Sequence, residues 1–517
     1  MKMKRVSALA VVVIVLSTLV ACGGGGGGDA NNGGESGVQS VSLTPSSASA
    51  HWGKTVGVSA QPTDATGAPV VGQKITYISS NENVATVSAT GIVTLLNPGT
   101  TYVTATAGGV VSNPSIIKSK GFAFNSLSVH EENNCALDDT KTEILCWGDN
   151  YPIWKNLANQ LELNYPSPMK LQMGSIPSGT TLKQVEPGFY YSCALTSDGA
   201  AYCWQGAAES ANEILGMGTN NQAPTSQPAL VQRGEIPVGA KITKLMNEGL
   251  SVCALVDDGN VYCWGKVRRN LRPENLWDLS TGYYTYPVKV GVTSQGVKFI
   301  DYAKGLDRDC ALSEAGQLYC GRLGDNNSSG YLTLQTHASS EVPVNVKLIK
   351  LKSNNGDGNF MMALGDDGWT YSFGAGFGRQ YGSGSATFVG GADTYQLIRT
   401  AQGDIPVGVK IVDFSVGSLA SVNCVVGDNG RAYCWGNGYS GSAGDGNMMT
   451  HEILAPQLVL QGQLPTGIRI SNIACGTYHC AALATDHKVY AWGFSEGAAI
   501  GGTVSVAVPT LINKVGN

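Results

Sequence analysis

Tyr191–Gly206 reads YSCALTSDGAAYCWQG, two apolar runs with a cysteine in each, separated by Ser197, Asp198 and Gly199. Alternating small and large apolar residues around a short glycine-ended turn specify a β-hairpin. The pattern recurs as NNCALDDTKTEILCWGDN from Asn133, SVCALVDDGNVYCWGK from Ser251 and RDCALSEAGQLYCGRL from Arg308. It returns as FMMALGDDGWTYSFGA from Phe360, VNCVVGDNGRAYCWGN from Val422 and HCAALATDHKVYAWGF from His479. With Cys135, Cys193, Cys253, Cys310, Met362, Cys424 and Ala481 as markers, the intervals are 58, 60, 57, 52, 62 and 57 residues. Each interval accommodates a four-stranded blade.

Upstream of most hairpins lies a second recurrent element, as in GSIPSGTTLKQVEPG, GEIPVGAKITKLMNEG, GDIPVGVKIVDFSVG and GQLPTGIRISNIACG, which reads as a turn followed by a strand. Seven copies predict an all-β, seven-bladed β-propeller over residues 121–517, in preference to a solenoid or two smaller barrels. The strand candidate Val508 to Val515 is expected to pair with the first blade and close the ring. The Ala-Leu, Asp-Gly and Tyr-Cys-Trp-Gly pattern, with turns such as Leu215-Gly216 and Leu323-Gly324, resembles the regulator of chromosome condensation repeat family. That resemblance implies the same seven-bladed fold.

The hairpin register assigns the cysteines. A three-residue loop with Gly199 in the left-handed conformation sets Cys193 opposite Cys203, and directly opposed residues on antiparallel strands are within disulfide reach. The same geometry pairs Cys135 with Cys146, Cys253 with Cys263, Cys310 with Cys320 and Cys424 with Cys434. It also sets Ala194 against Tyr202 and Ala254 against Tyr262. Repeat five carries Met362 and Ser372 at the paired positions and repeat seven Ala481 and Ala491, so both partners are replaced together. Cys475 and Cys480 are expected to close a local loop. Zinc held by Cys475, His479 and Cys480 is the competing reading, disfavoured because no second ligand pair accompanies them.

Residues 1–21 form a targeting segment: Lys2, Lys4 and Arg5 precede an apolar stretch from Val6 to Val20, too short for a comfortable membrane span. Its end, Leu19-Val20-Ala21-Cys22, resembles the lipobox of bacterial lipoproteins, which implies cleavage before Cys22 and lipidation of its thiol. Gly23 follows where an inner-membrane retention signal would have aspartate, so the expected location is extracytoplasmic, lipid-anchored to the envelope at the outer membrane. The glycine-rich stretch 22–37 cannot bury apolar surface and reads as a flexible tether. From Val38 to Lys120, strands are expected at Val41–Leu43, Val56–Ala60, Ile75–Ile78, Val84–Val87, Ile92–Leu95 and Tyr102–Ala105, fitting a small immunoglobulin-like β-sandwich. The run ITYISSNENVATVSATGIVTLLNPGTTYVTATAGG from Ile75 resembles the bacterial immunoglobulin-like domain of group 2, with Tyr77 where that family commonly has tryptophan. Such domains serve as spacers or adhesive modules.

No catalytic constellation emerges. The six histidines fall at unrelated repeat positions and read as surface or turn residues. The glycines of Gly374-Ala375-Gly376-Phe377-Gly378 lack the context of a dinucleotide site, and no phosphate-binding GxxxxGK[ST] occurs. Asp357-Gly358-Asn359 and Asp445-Gly446-Asn447 lack a calcium-binding frame and read as turns. The expectation is therefore a non-enzymatic protein without cofactor or metal. The formal charge of −5 gives no global attraction to nucleic acid.

The segments after each Cys-Trp-Gly are expected on one face of the propeller, carrying Tyr151, Trp154, Tyr165, Arg268, Arg269, Arg272, Trp277, Tyr283, Tyr284, Tyr286, Phe377, Arg379, Tyr381 and Tyr439. Trp, Tyr and Arg dominate binding hot spots, although the same residues would serve equally to pack loops onto blades. The repeat-wide Trp147, Trp204, Trp264, Trp435 and Trp492 read as blade core. The expected function is a surface-anchored scaffold that binds a protein. Alternatives are a carbohydrate-binding propeller, an inhibitor-like role suggested by a bacterial β-lactamase inhibitor that resembles this propeller, and a GTPase exchange factor acting on a foreign partner.

Overall fold

The computed structural model describes residues 37–51, 54–96, 99–120, 123–131, 133–149, 164–188, 191–205, 215–218, 226–248, 251–268, 281–290, 296–305, 308–322, 333–334, 341–353, 359–376, 378–387, 396–418, 422–495, 500 and 504–512. Contacts divide the chain into two compact units, Met1–Ser119 and Lys120–Asn517. The expected leader and most of the tether lie outside the described residues.

The described part of the first unit is built of short β-strands. Ser47–His51, Ser115–Lys120, Gly99–Ala107 and Thr76–Ser79 are neighbours in one sheet, and Thr55–Gly57, Ile92–Leu95 and Ala85–Val87 in another. Val41, Val58, Val93, Leu95, Val103 and Ile117 are buried between them. Tyr77 lends its hydroxyl to the amide of Ala60 at 3.2 Å, a polar tether that holds without any disulfide. The alternation of Ser115–Lys120, buried at every other position, was not legible as a strand because serine occupies two of its three inward positions and Ile116 points outward.

The second unit contains seven consecutive four-stranded sheets. Their first strands are Phe124–His130, Leu182–Pro187, Ile242–Glu248, Phe299–Lys304, Leu348–Ser353, Ile411–Ser415 and Ile470–Cys475. The predicted hairpins supply the second and third strands, with Cys193 opposite Cys203 and Ala194 opposite Tyr202. Gly199 takes φ 90°. The five expected staples form, together with Cys475–Cys480. In the two blades without staples, Met362 faces Ser372 and Ala481 faces Ala491 in the same register. The sulfur of Cys480 lies 3.7 Å from that of Cys424, but all three neighbouring sulfurs, including Cys475, are committed to disulfides. His479 turns away to Asn134, so the alternative zinc set is not assembled.

Closure differs from the expectation. The last strand, Val506–Leu511, pairs with Val489–Gly493 of its own blade and not with blade one. Every blade is therefore contiguous in sequence, and the ring closes through the bond used at its other junctions. The first residue of an inner strand donates its amide to the hairpin-turn carbonyl of the preceding blade: Phe299 to Gly259 at 3.0 Å, Ile411 to Gly368 at 2.8 Å, Ile470 to Gly430 at 2.9 Å. Between blades seven and one, Phe124 donates to His487 at 2.7 Å. His487 holds the turn-glycine position at φ 61°. A single apolar core runs across this seam from Phe124 and Leu137 to Leu483 and Ile512.

The turn element upstream of each inner strand is a second junction device. Ser175, Glu235, Asp404 and Gln463 donate their amides to Pro228, Pro287, Pro456 and Pro509, at 2.7–2.8 Å; the last three prolines lie in the outer strand of the next blade and Pro228 directly precedes it. Proline suits this strand because its missing N–H is not needed at a sheet edge. Gly403, at φ 48°, lies so near that an added Cβ would stand 2.1 Å from the Pro456 carbonyl, which accounts for the glycine of the Gly-x-Ile/Leu-Pro pattern.

Candidate binding surface and central channel

In blades one, three, six and seven the glycine of Cys-Trp-Gly or its counterpart sits at a bulge where the third strand meets the fourth, with Gly148, Gly265, Gly436 and Gly493 all at positive φ. The residues facing them are Tyr165, Tyr284, Ile453 and Val506. A residue without a side chain is thus matched to a bulky one. Tyr165, expected on the binding face, is buried for this reason. Tyr284 is half-buried in the same position, and Tyr286 is exposed but belongs to the outer strand Thr281–Val290.

The segments that follow act largely as straps between blades. The indole N–H groups of Trp435 and Trp492 donate to the carbonyls of Gln380 and Ser442 in the preceding blade, at 2.8 and 3.0 Å. Gly218, Gly384 and Gly446 donate amides to Thr285, Leu454 and Ala507 in the outer strand of the following blade. The five repeat-wide tryptophans are fully buried, as expected of blade core. Tyr381 is likewise buried, edge-on to Phe360 with ring centroids 5.5 Å apart and its hydroxyl on the Gly374 carbonyl. Arg379 pairs with Glu452 of the next blade. Both residues therefore pack or tie the strap and do not present a binding surface.

Arg268 and Tyr283 lie in paired strands, with only their backbones described, and Tyr151, Trp154, Arg269, Arg272, Trp277 and Phe377 lie outside the described residues. Asp445 accepts hydrogen bonds from Asn447 and His451 inside its turn.

Tyr439 alone among the expected loop-face residues combines exposure with a described aromatic neighbourhood. Its ring lies 4.9 Å from Tyr478 and 5.9 Å from Phe494, and those two are 6.2 Å apart. All three are at least partly exposed. Tyr478 sits between the first and second strands of blade seven, and strand alternation puts that connection on the same face as the loops after Cys-Trp-Gly. Phe494 directly follows Trp492-Gly493, so its place was available from the repeat register.

A second feature occupies the ring interior. In every inner strand a bulge follows the opening residue. The next position forms a polar tier: Ser126, Gln184, Lys244, Asp301, Lys350, Asp413 and Asn472. This tier clasps neighbouring blades. Gln184 exchanges two hydrogen bonds with the backbone of Leu245, at 2.9 and 2.7 Å. Asp301 accepts from the amide of Leu351 at 2.9 Å and pairs with Lys244. Asp413 accepts from the amide of Ile473 at 3.0 Å, Asn472 Nδ2 at 2.7 Å and Lys350 Nζ at 2.5 Å. Burial alone would raise the Asp413 pKa, but the charges of Lys352 and Lys350 outweigh it and hold it below the usual range.

Two residues further along is a second tier: Ser128, Glu186, Met246, Ala303, Lys352, Ser415 and Ala474. The inner strands of all seven blades wall one cavity of about 270 Å³ spanning these tiers.

Residues 37–116 match the bacterial Ig-like domain of group 2, and residues 429–483 match the regulator of chromosome condensation (RCC1) repeat. The chain carries a group 2 bacterial Ig-like domain and, within the propeller that follows it, an RCC1 repeat. Human regulator of chromosome condensation is 24% identical over 343 residues, covering 63% of this chain and 75% of that protein. Mouse E3 ubiquitin-protein ligase HERC2 is 27% identical over 315 residues, 58% of this chain, and the match spans only 6% of HERC2. Among solved structures, Prp20p of Saccharomyces cerevisiae superposes with a TM-score of 0.53 at 22% identity, covering 75% of this chain and 87% of Prp20p. Human WBSCR16 gives a TM-score of 0.54 at 15% identity, covering 73% of this chain and 90% of that one. The RCC1-repeat propeller is thus shared at the level of fold.

Proposed function

We propose that the chain is a non-enzymatic binding protein of the cell envelope, anchored through lipidated Cys22, whose propeller captures a protein partner on the face bearing Tyr439, Tyr478 and Phe494. The observation carrying this reading is the aromatic trio itself. Partly exposed aromatic rings in mutual contact are the residue type and arrangement that anchor protein interfaces. The fold neighbours are compatible with such a role: Prp20p was characterised for binding to Gsp1p and histones, and yeast RCC1 was solved bound to Kap60. The glycine tether and Ig-like domain would give the propeller reach from the membrane.

A photo-cross-linking residue at position 439 in the native host is expected to trap a discrete protein adduct. Tyr478→Ala combined with Phe494→Ala should reduce it by about tenfold or more, as loss of hot-spot side chains does. An undiminished adduct would overturn the assignment of this face. For the anchor, an alkyne fatty acid is expected to label the chain and labelling to vanish in Cys22→Ser; label persisting in that variant would refute it.

A further inference from the structure

The second tier of the channel is asymmetric in a way that blade packing does not require. Its two ionisable members, Glu186 and Lys352, stand on blades two and five, across the ring from each other. The equivalent positions elsewhere are short or apolar, which leaves open space between them. Among the described residues no ion pair joins Glu186 to any cation within 4 Å. It accepts instead from two neutral donors, Ser128 Oγ and Gln184 Nε2, both at 2.7 Å.

Lys352 has no carboxylate to itself, and its ammonium lies over the Phe414 ring, 5.3 Å from the centroid. Its ammonium is 3.7 Å from an Asp413 oxygen, while that carboxylate is already occupied by Lys350, Asn472 and the Ile473 amide. It also donates to the Phe414 carbonyl. Lys244 and Lys350, by contrast, each have a close aspartate on the next blade.

We infer that this channel binds a small zwitterion of amino-acid size, its ammonium received by Glu186 and its carboxylate by Lys352. The cavity of about 270 Å³ decides the size class. It lies at the lower edge of the roughly 300–1,000 Å³ of pockets that enclose drug-sized ligands, which favours a small molecule over a nucleotide, peptide or oligosaccharide. Charge decides the rest. A dicarboxylate would set its second anion against Glu186, and a diamine its second cation against Lys352. Only a ligand carrying opposite charges answers both walls.

The protonation chemistry agrees. Burial raises the Glu186 carboxyl and draws the Lys352 amine down to about 8. A bound ammonium and carboxylate would offset that burial cost by favouring the charged form of each group.

Calorimetry on the full chain with glycine, β-alanine and γ-aminobutyrate samples increasing charge separation, with acetate and methylammonium as single-charge controls. At least one zwitterion is expected to bind with unit stoichiometry, about tenfold or more tighter than either control, and Glu186→Gln and Lys352→Met should each weaken it about tenfold. Glu186→Gln keeps a polar acceptor for Ser128 and so preserves the fold, which can be checked by its melting temperature. No binding of any zwitterion, equal binding of a single-charge control, or undiminished affinity in folded Glu186→Gln would overturn the inference.

Discussion

Replacing Asp413 by Ala is expected to destabilise the propeller by about 3–5 kcal/mol, the usual cost of removing one partner from a buried ionic cluster. Asp413 is only 4% exposed and contacts three blades: its own, the preceding one through Lys350, and the following one through Asn472 and Ile473. Alanine would leave the Ile473 amide without an acceptor and the ammonium groups of Lys350 and Lys352 without their shared carboxylate. Asp413→Asn should cost less, because its carbonyl oxygen can still accept from Ile473. Lys350→Met should cost about 1 kcal/mol or less, since roughly a third of the lysine side chain is exposed and its ion pair is screened. Urea unfolding followed by tryptophan fluorescence should show these as shifts in midpoint at constant slope. The Asp413 pKa is depressed in the folded state, so its stabilisation is complete above the unfolded-state value near 3.8 and is lost as pH falls through the folded pKa. The Asp413→Ala penalty is therefore largest at neutral pH and shrinks in acid. An equal cost at neutral and strongly acidic pH would refute the electrostatic account.

What could be read from the sequence was whatever repeats. Cys193 and Cys203 are ten residues apart around an Asp-Gly turn, a local constraint that fixes register without any tertiary information. Blade count, staples and buried tryptophans all follow from it. The clasping tier was not legible, because Gln184, Lys244, Asp301 and Asn472 differ in charge and size and share only a place after a bulge. Tyr165 and Tyr381 were misread as binding residues for a related reason. Composition marks both as hot-spot material, whereas their burial depends on a bulge glycine in one case and a strap folded under Phe360 in the other. The closing strand went to blade seven because Val506, Thr510 and Leu511 find Gly493, Ala491 and Tyr490 in register beside them. Local pairing of adjacent segments prevailed over the long return to blade one.

Two histidines at that seam carry the second large effect. His130 and His479 were expected at surface or turn positions, but they are 3% and 1% exposed, because each lies in a strand packed at the junction of blades seven and one. His479 shares Nε2 with Asn134 Oδ1 at 2.9 Å, and among the described residues neither ring nitrogen of His130 meets a hydrogen-bond partner. Burial pushes their pKa values down to about 4 and about 3. Each is thus neutral in the folded chain, while the unfolded chain takes up a proton as pH falls through about 6.5. Stability is unaffected by them above that value and falls from there towards pH 4 for His130 and pH 3 for His479. The loss is ~1.4 kcal/mol per pH unit for each imidazole. His130→Phe keeps an aromatic shape and forfeits no hydrogen bond, so it isolates one of the two. Between pH 6 and pH 4.5 its unfolding free energy should decline less steeply than that of the parent by ~1.4 kcal/mol per pH unit, with the two curves parallel above pH 7. Parallel curves throughout would mean that His130 is already protonated in the folded propeller, and the acid sensitivity of the seam would then rest on His479 alone.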